Sequence, residues 1–135
     1  MVKLIIGVKG TGKTKALISM VNEATEKSNG TVVCIEKGVG LRFDVKYSAR
    51  LINTNEYLIF DAEALYGFVA GILASNHDVT DLFIDGALKI ANNDVAAFEA
   101  FVKEVDELTS KMDVNVVMTS SIPTEEASDL VKKYI

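Results

Sequence analysis

The chain has 135 residues, 49% of them hydrophobic, and a formal net charge of −5. That length fits one domain, residues 1–135, with a real core, and that hydrophobicity excludes a disordered chain. With no Lys/Arg cluster beyond Lys132-Lys133, the net negative charge makes nucleic acid an unfavoured partner on broad electrostatic grounds.

Val2 to Ile6 is a short apolar run of strand type. It feeds Gly7-Val8-Lys9-Gly10-Thr11-Gly12-Lys13-Thr14, which fits the phosphate-binding pattern G-x-x-x-x-G-K-[ST], Walker A, with no mismatch. Its glycines let the backbone turn several N–H groups onto one anion. Lys13 is expected to carry its ammonium to the β- and γ-phosphates, and Thr14 to place a hydroxyl on Mg²⁺. A helix over 15–26, starting at Lys15, adds the positive end of its dipole. Strand, loop and helix is the order that phosphate binding requires.

Asn29-Gly30 reads as a helix stop, and Thr31 to Ile35 as a strand buried on both faces, closing on Glu36. Cys34, the single cysteine, falls inside that strand and reads as a small buried hydrophobe. From 37 to 57 the pattern degrades. The stretch 41–47 alternates weakly, as a strand would, and 50–52 is a further candidate. Both arginines of the chain, Arg42 and Arg50, lie here.

Asp61 reads as the cap of a helix over 62–75, with Leu65, Phe68, Val69, Ile72 and Leu73 along one face. His77, the only histidine, falls in the loop that follows and has no metal-ligand spacing around it. Asp81 to Asp85 is an apolar run closing on an acid, the Walker B pattern, which makes Asp85 the expected partner of Thr14 around Mg²⁺. Asn92 or Asn93 is expected to cap the next helix, and Val114 to Met118 to form a strand ending in Thr119-Ser120-Ser121. Pro123 and Thr124 are expected to open a last helix, closed by Lys132 and Lys133.

Apolar strands alternating with amphipathic helices predict an α/β three-layer sandwich with a mainly parallel sheet of about five strands. Such sheets bind ligands at the carboxyl ends of their strands, where the loop, Glu36, Asp85 and Thr119 all fall. On Gly7–Thr14 and Leu82–Asp85 the chain resembles the P-loop NTPase superfamily, with a RecA-like or thymidine-kinase-like core. The resemblance implies ATP and Mg²⁺ as ligands and Thr119 as a polar sensor of the γ-phosphate. Gly86 stands where many such ATPases carry a water-polarising glutamate. RecA-like members place that glutamate on a neighbouring strand, a position Glu36 resembles. No guanine-reading N-K-x-D or T-K-x-D occurs, so the resemblance favours ATP over GTP.

The expected activity is a slow or assembly-dependent ATPase. A cation beyond Lys13 and Mg²⁺ is wanted at the transition state, from Arg42, Arg50 or Lys9, in cis or from another copy or protein partner. Two alternatives stand beside it. One is a nucleotide-dependent switch in which 37–57 moves; the other is a small nucleoside or small-molecule kinase, against which the lack of arginines over 86–94 counts. Cytoplasm is the expected location, since no leader or membrane-length apolar run is legible.

Overall fold

The computed structural model describes all 135 residues. Strand β1 (Val2–Ile6) leads through the loop to helix α1 (Lys13–Lys27), then to β2 (Thr31–Glu36) and β3 (Arg50–Asn53). Helix α2 (Ala62–Ser75), β4 (Val79–Ile84) and the short α3 (Ala87–Ile90) follow. Helix α4 (Val95–Thr109), β5 (Asn115–Ser120) and the one-turn α5 (Asp129–Lys132) complete the chain. No helix is long and apolar enough to cross a membrane.

The five strands form one sheet in the order β1-β5-β4-β2-β3, with every neighbouring pair parallel. Side-chain alternation along the strands divides the core in two. Val33, Ile35, Leu82, Ile84, Val116 and Met118 pack on α2 and α4 through Leu65, Val69, Phe98 and Val102. Val32, Cys34, Phe83 and Val117 face the other way, onto Leu17 and Val21 of α1. Strands covered on both faces need continuous apolar runs, which is how they read in the sequence. The α/β sandwich expectation holds, and the sheet is wholly parallel.

Cys34 is fully buried, and its thiol is pushed up to about 12, by burial first and then by the charges of Asp85 and Glu36. It is a packing residue. Gly30 is required by crowding, because a Cβ there would lie 2.1 Å from the Asp78 carbonyl oxygen.

Three sequence expectations are corrected. Residues 41–47 form no strand but part of a series of turns over 41–49, in which Leu41, Val45 and Ala49 are buried and Phe43 and Tyr47 are exposed. The buried residues recur every fourth position to cover the α1 face of the sheet, and that overrides the weak alternation. Helix α4 is capped by Asp94, whose carboxylate accepts from Ala97 N at 3.0 Å. Asn92 and Asn93 instead take left-handed conformations, with φ of 57° and 58°, in the preceding turn. The last helix starts at Asp129 behind a Ser128 cap, because 124–126 closes as a separate 3₁₀ turn. The Asp61 cap is as expected: its Oδ1 accepts from Ala64 N at 2.7 Å.

The Thr54 hydroxyl, in the 3₁₀ turn after β3, is buried without a hydrogen-bond partner. An orphaned buried hydroxyl costs about 1–3 kcal/mol, so Thr54→Val is expected to stabilise the fold by roughly 1 kcal/mol in urea titrations.

Candidate functional site: a phosphate-binding cleft

The site begins with the backbone of the loop. Gly12 has φ +87°, a conformation costly for any residue with a side chain, and caps α1 without a side-chain hydrogen bond. The first-turn N–H groups of α1 therefore remain available to an anion. Thr11 Oγ1 and Lys13 Nζ both donate to the Val8 carbonyl, at 2.8 and 2.9 Å, so the lysine ammonium lies across the loop it belongs to.

Strand order supplies the second half. Because β5 separates β1 from β4, the ends of three adjacent strands converge on one point. Thr14 Oγ1 donates to the Asp85 carboxylate, 3.2 and 3.3 Å from its two oxygens. From the other side, Thr119 Oγ1 donates to Asp85 Oδ1 at 2.7 Å and accepts from Gly86 N at 2.8 Å. Asp85 is thus held between two hydroxyls, one from the loop side and one from β5. Thr119 belongs to β5 itself, which runs two residues beyond the expected strand end at Met118. Its single donor is committed to Asp85, which makes it a positioning residue for that carboxylate.

These groups line an open cleft of about 610 Å³, together with Lys9, Gly10, Lys15, Lys89, Asn93 and Ser121. Only one hydrophobic residue, Leu88, lines it. Ligand pockets are usually mostly apolar, so this lysine-bearing, largely polar lining suits a polyanion of the polyphosphate kind. No cluster of three His, Cys, Asp or Glu is present. Mg²⁺ needs none, since one carboxylate, one hydroxyl and phosphate oxygens are hard donors of the kind it takes. Thr14 and Asp85 fit that role.

Sequence reasoning missed Asn93, and it read no element at 86–94, where α3 brings Lys89 to the rim. Gly86 with φ +68° starts that helix, so the glycine after the Walker B acid was the available signal.

The structure does not bring Glu36, Arg42 or Arg50 into this cleft. Both arginines and Glu36 line a separate pocket toward β3, whose strand lies roughly 19 Å from β1 at ordinary strand spacing. Of the three expected cations, only Lys9 lines the phosphate cleft. Glu36 is 5% exposed, and its Oε2 accepts from Leu41 N at 3.1 Å. Burial raises its carboxyl above the usual 4.5, the Leu41 and Gly40 N–H groups oppose that, and the Asp85 charge adds to it.

A carboxyl raised on folding contributes stability below its unfolded value and loses it as pH rises through the folded value. Glu36→Gln is therefore expected to be more stable than wild type at neutral pH. The advantage should close toward pH 4, as read from urea midpoints at the two pH values.

No family model and no curated protein matches the chain. Among solved structures, a KaiC-like protein from the hyperthermophilic archaeon Pyrococcus horikoshii superimposes on 98% of this chain with a TM-score of 0.71 at 15% identity. The chain has the P-loop NTPase fold. A second solved structure, the pCW3 conjugation coupling protein TcpA in its monomer form with ATPγS, matches 99% of the chain with a TM-score of 0.62 at 12% identity. This P-loop domain spans 66% of the first protein and 46% of the second.

Proposed function

We propose that residues 1–135 form one nucleotide-binding domain that holds Mg-ATP in the P-loop cleft and hydrolyses it slowly until a second copy or a protein partner completes the site. The hydrogen-bonded chain Thr14–Asp85–Thr119, beside Lys13, carries this reading. In it, Lys13 and the first turn of α1 neutralise the β- and γ-phosphates. Thr14 and Asp85 hold Mg²⁺, which supplies a Lewis acid toward the transferred phosphoryl group. Glu36, the water-orienting group that the RecA-like resemblance implied, lines the pocket toward β3 and not this cleft, so it takes no part in the reaction proposed here.

The slow rate follows from what lines the cleft. Its cations are all lysines, and neither arginine reaches it. Charge spread over three phosphoryl oxygens is best met by a guanidinium fork, which leaves that contribution to a neighbour. The Glu36–Leu41 hydrogen bond favours one further reading, a switch, since it ties the 37–49 segment to the strand end beside Asp85. Cytoplasm is the compartment that suits either reading.

Calorimetric titration with ATP, ADP and GTP in Mg²⁺, followed by phosphate release at rising protein concentration, tests the proposal. ATP and ADP should bind, and turnover per subunit should rise with concentration. Turnover independent of concentration would remove the partner from the reading, and binding without any turnover would leave the switch. If no nucleotide binds, the cleft is scaffold and the function proposed here is wrong.

A further inference from the structure

We propose that the pocket along the edge strand β3, reaching the carboxyl end of β2, is a second ligand site, for a small molecule with a phosphate or carboxylate at one end and a hydroxyl at the other. The site goes beyond the nucleotide reading and does not require it. The pocket measures about 290 Å³, which is too small for a nucleotide and at the lower end of small-molecule sites.

Both arginines of the chain line it, although they come from different segments, Arg42 from the turns after β2 and Arg50 from β3. Neither is neutralised within the protein. The two ion pairs of the chain, Lys27–Glu23 and Lys46–Glu26, involve other residues. Two guanidinium groups without an ion-pair partner on one concavity offer N–H donors to an anionic oxygen group. The Arg42 guanidinium also lies 4.7 Å over the Phe43 ring, a stacking that restricts it before any ligand arrives.

The rest of the lining sets the other end of the ligand. Glu36 contributes a buried carboxylate whose Oε2 accepts from Leu41 N, with the Gly40 N–H also acting on it; each carboxylate oxygen carries two lone pairs, so acceptor capacity remains for one ligand hydroxyl. Asn53 is fixed by accepting from Gly38 N at 2.8 Å and Asn55 N at 3.0 Å. Tyr57 is braced against Phe68, with ring centroids 5.6 Å apart. A wholly anionic ligand would meet the carboxylates of Glu36 and Glu56, and a cation would meet the arginines. A hydroxyl donating to Glu36 with an anion on the arginines satisfies both ends.

Position supports the same occupant. Parallel sheets bind ligands beyond the carboxyl ends of their strands, and this pocket runs along the edge strand β3 to the carboxyl end of β2 at Glu36. Strand β2 separates β3 from β4, and Asp85 N donates to the Ile35 carbonyl at 2.8 Å, so the Glu36 end of the pocket is the end nearer the phosphate cleft. The hydroxyl of the ligand would face the nucleotide site.

Having only two arginines makes the test direct, because the Nε–Hε spectrum of the protein contains two side-chain signals. Lys13→Ala protein, in which the loop no longer competes for anions, is titrated with glycerol 3-phosphate, with glycerate and with glycerol. Both arginine signals should move saturably with at least one of the anions and stay in place with glycerol. A response to only one anion identifies the preferred group as phosphate or carboxylate. Arg42→Gln and Arg50→Gln should each weaken binding at least about tenfold. Inorganic phosphate, which lacks the hydroxyl arm, should bind several-fold more weakly than glycerol 3-phosphate. Should Lys13→Ala fail to fold, wild type saturated with Mg-ADP serves in its place. Arginine signals unmoved by either anion, or moved equally by glycerol, would overturn the proposal. So would shifts seen in wild type alone and lost in Lys13→Ala.

Discussion

Lys13→Ala is expected to weaken Mg-ATP binding by about 100-fold or more, and to reduce phosphate release at least as much. The estimate comes from the loss of charge-assisted hydrogen bonds to two phosphates, each worth roughly 1.5–3 kcal/mol. The fold should not change. Lys13 is half-exposed, and its one hydrogen bond is to the Val8 carbonyl of its own loop, 2.9 Å away. Calorimetry would show the lost affinity, and thermal melting without ligand should leave the variant within about 0.5 kcal/mol of wild type, as for substitutions away from the core. A melting temperature well below that of wild type would mean that Lys13 holds the loop together, and the affinity loss could not then be assigned to phosphate contact. Lys9→Ala, at the exposed rim of the same cleft, is expected to have a much smaller effect.

Asp85→Asn separates the charge at this position from its geometry. An asparagine oxygen can still accept from Thr119 Oγ1 and Thr14 Oγ1, which now lie 2.7 and 3.2 Å from Asp85 Oδ1. What disappears is the carboxylate proposed to hold Mg²⁺. Phosphate release is expected to fall by about 100- to 1,000-fold, the scale on which losing one element of transition-state charge stabilisation is felt. ATP affinity without Mg²⁺ should be unchanged. Release retained within a few-fold would place the metal elsewhere. Removing this charge also removes one of the causes that raise the Glu36 carboxyl. The stability gained by Glu36→Gln at neutral pH should therefore be smaller in the Asp85→Asn background, and a double-mutant cycle in urea measures that difference.

The two halves of the site were legible to different degrees. Gly7–Thr14 is contiguous, and every requirement on it is local: glycines for the turn, a lysine and a threonine at the start of a helix. Asp85 could be read because a buried strand ending in an acid is a pattern within a few residues. Thr119 could be placed at a strand end but not turned, since only the packing of β5 against β4 aims its hydroxyl at Asp85, 34 positions away. Glu36 shows the opposite outcome. Its place at the end of a buried strand was legible, but the fold ties its carboxylate to the turn after β2 through Leu41 N, in a pocket that the arginines also line.

The sequence by itself determined the Walker A pattern, the two-sided burial of β2, the existence of β4 and β5, and the Asp61 cap of α2, because short-range sterics, periodicity and capping encode each of them. Tertiary structure alone decided that β5 enters between the loop strand and the Asp85 strand, and that 41–49 covers the sheet through one buried residue in four. It alone decided that both arginines lie outside the cleft at the loop, toward the edge strand β3. Parallel strands are joined by long crossovers, so their order, and every contact that depends on it, is settled by packing between distant segments and leaves no local periodicity to read.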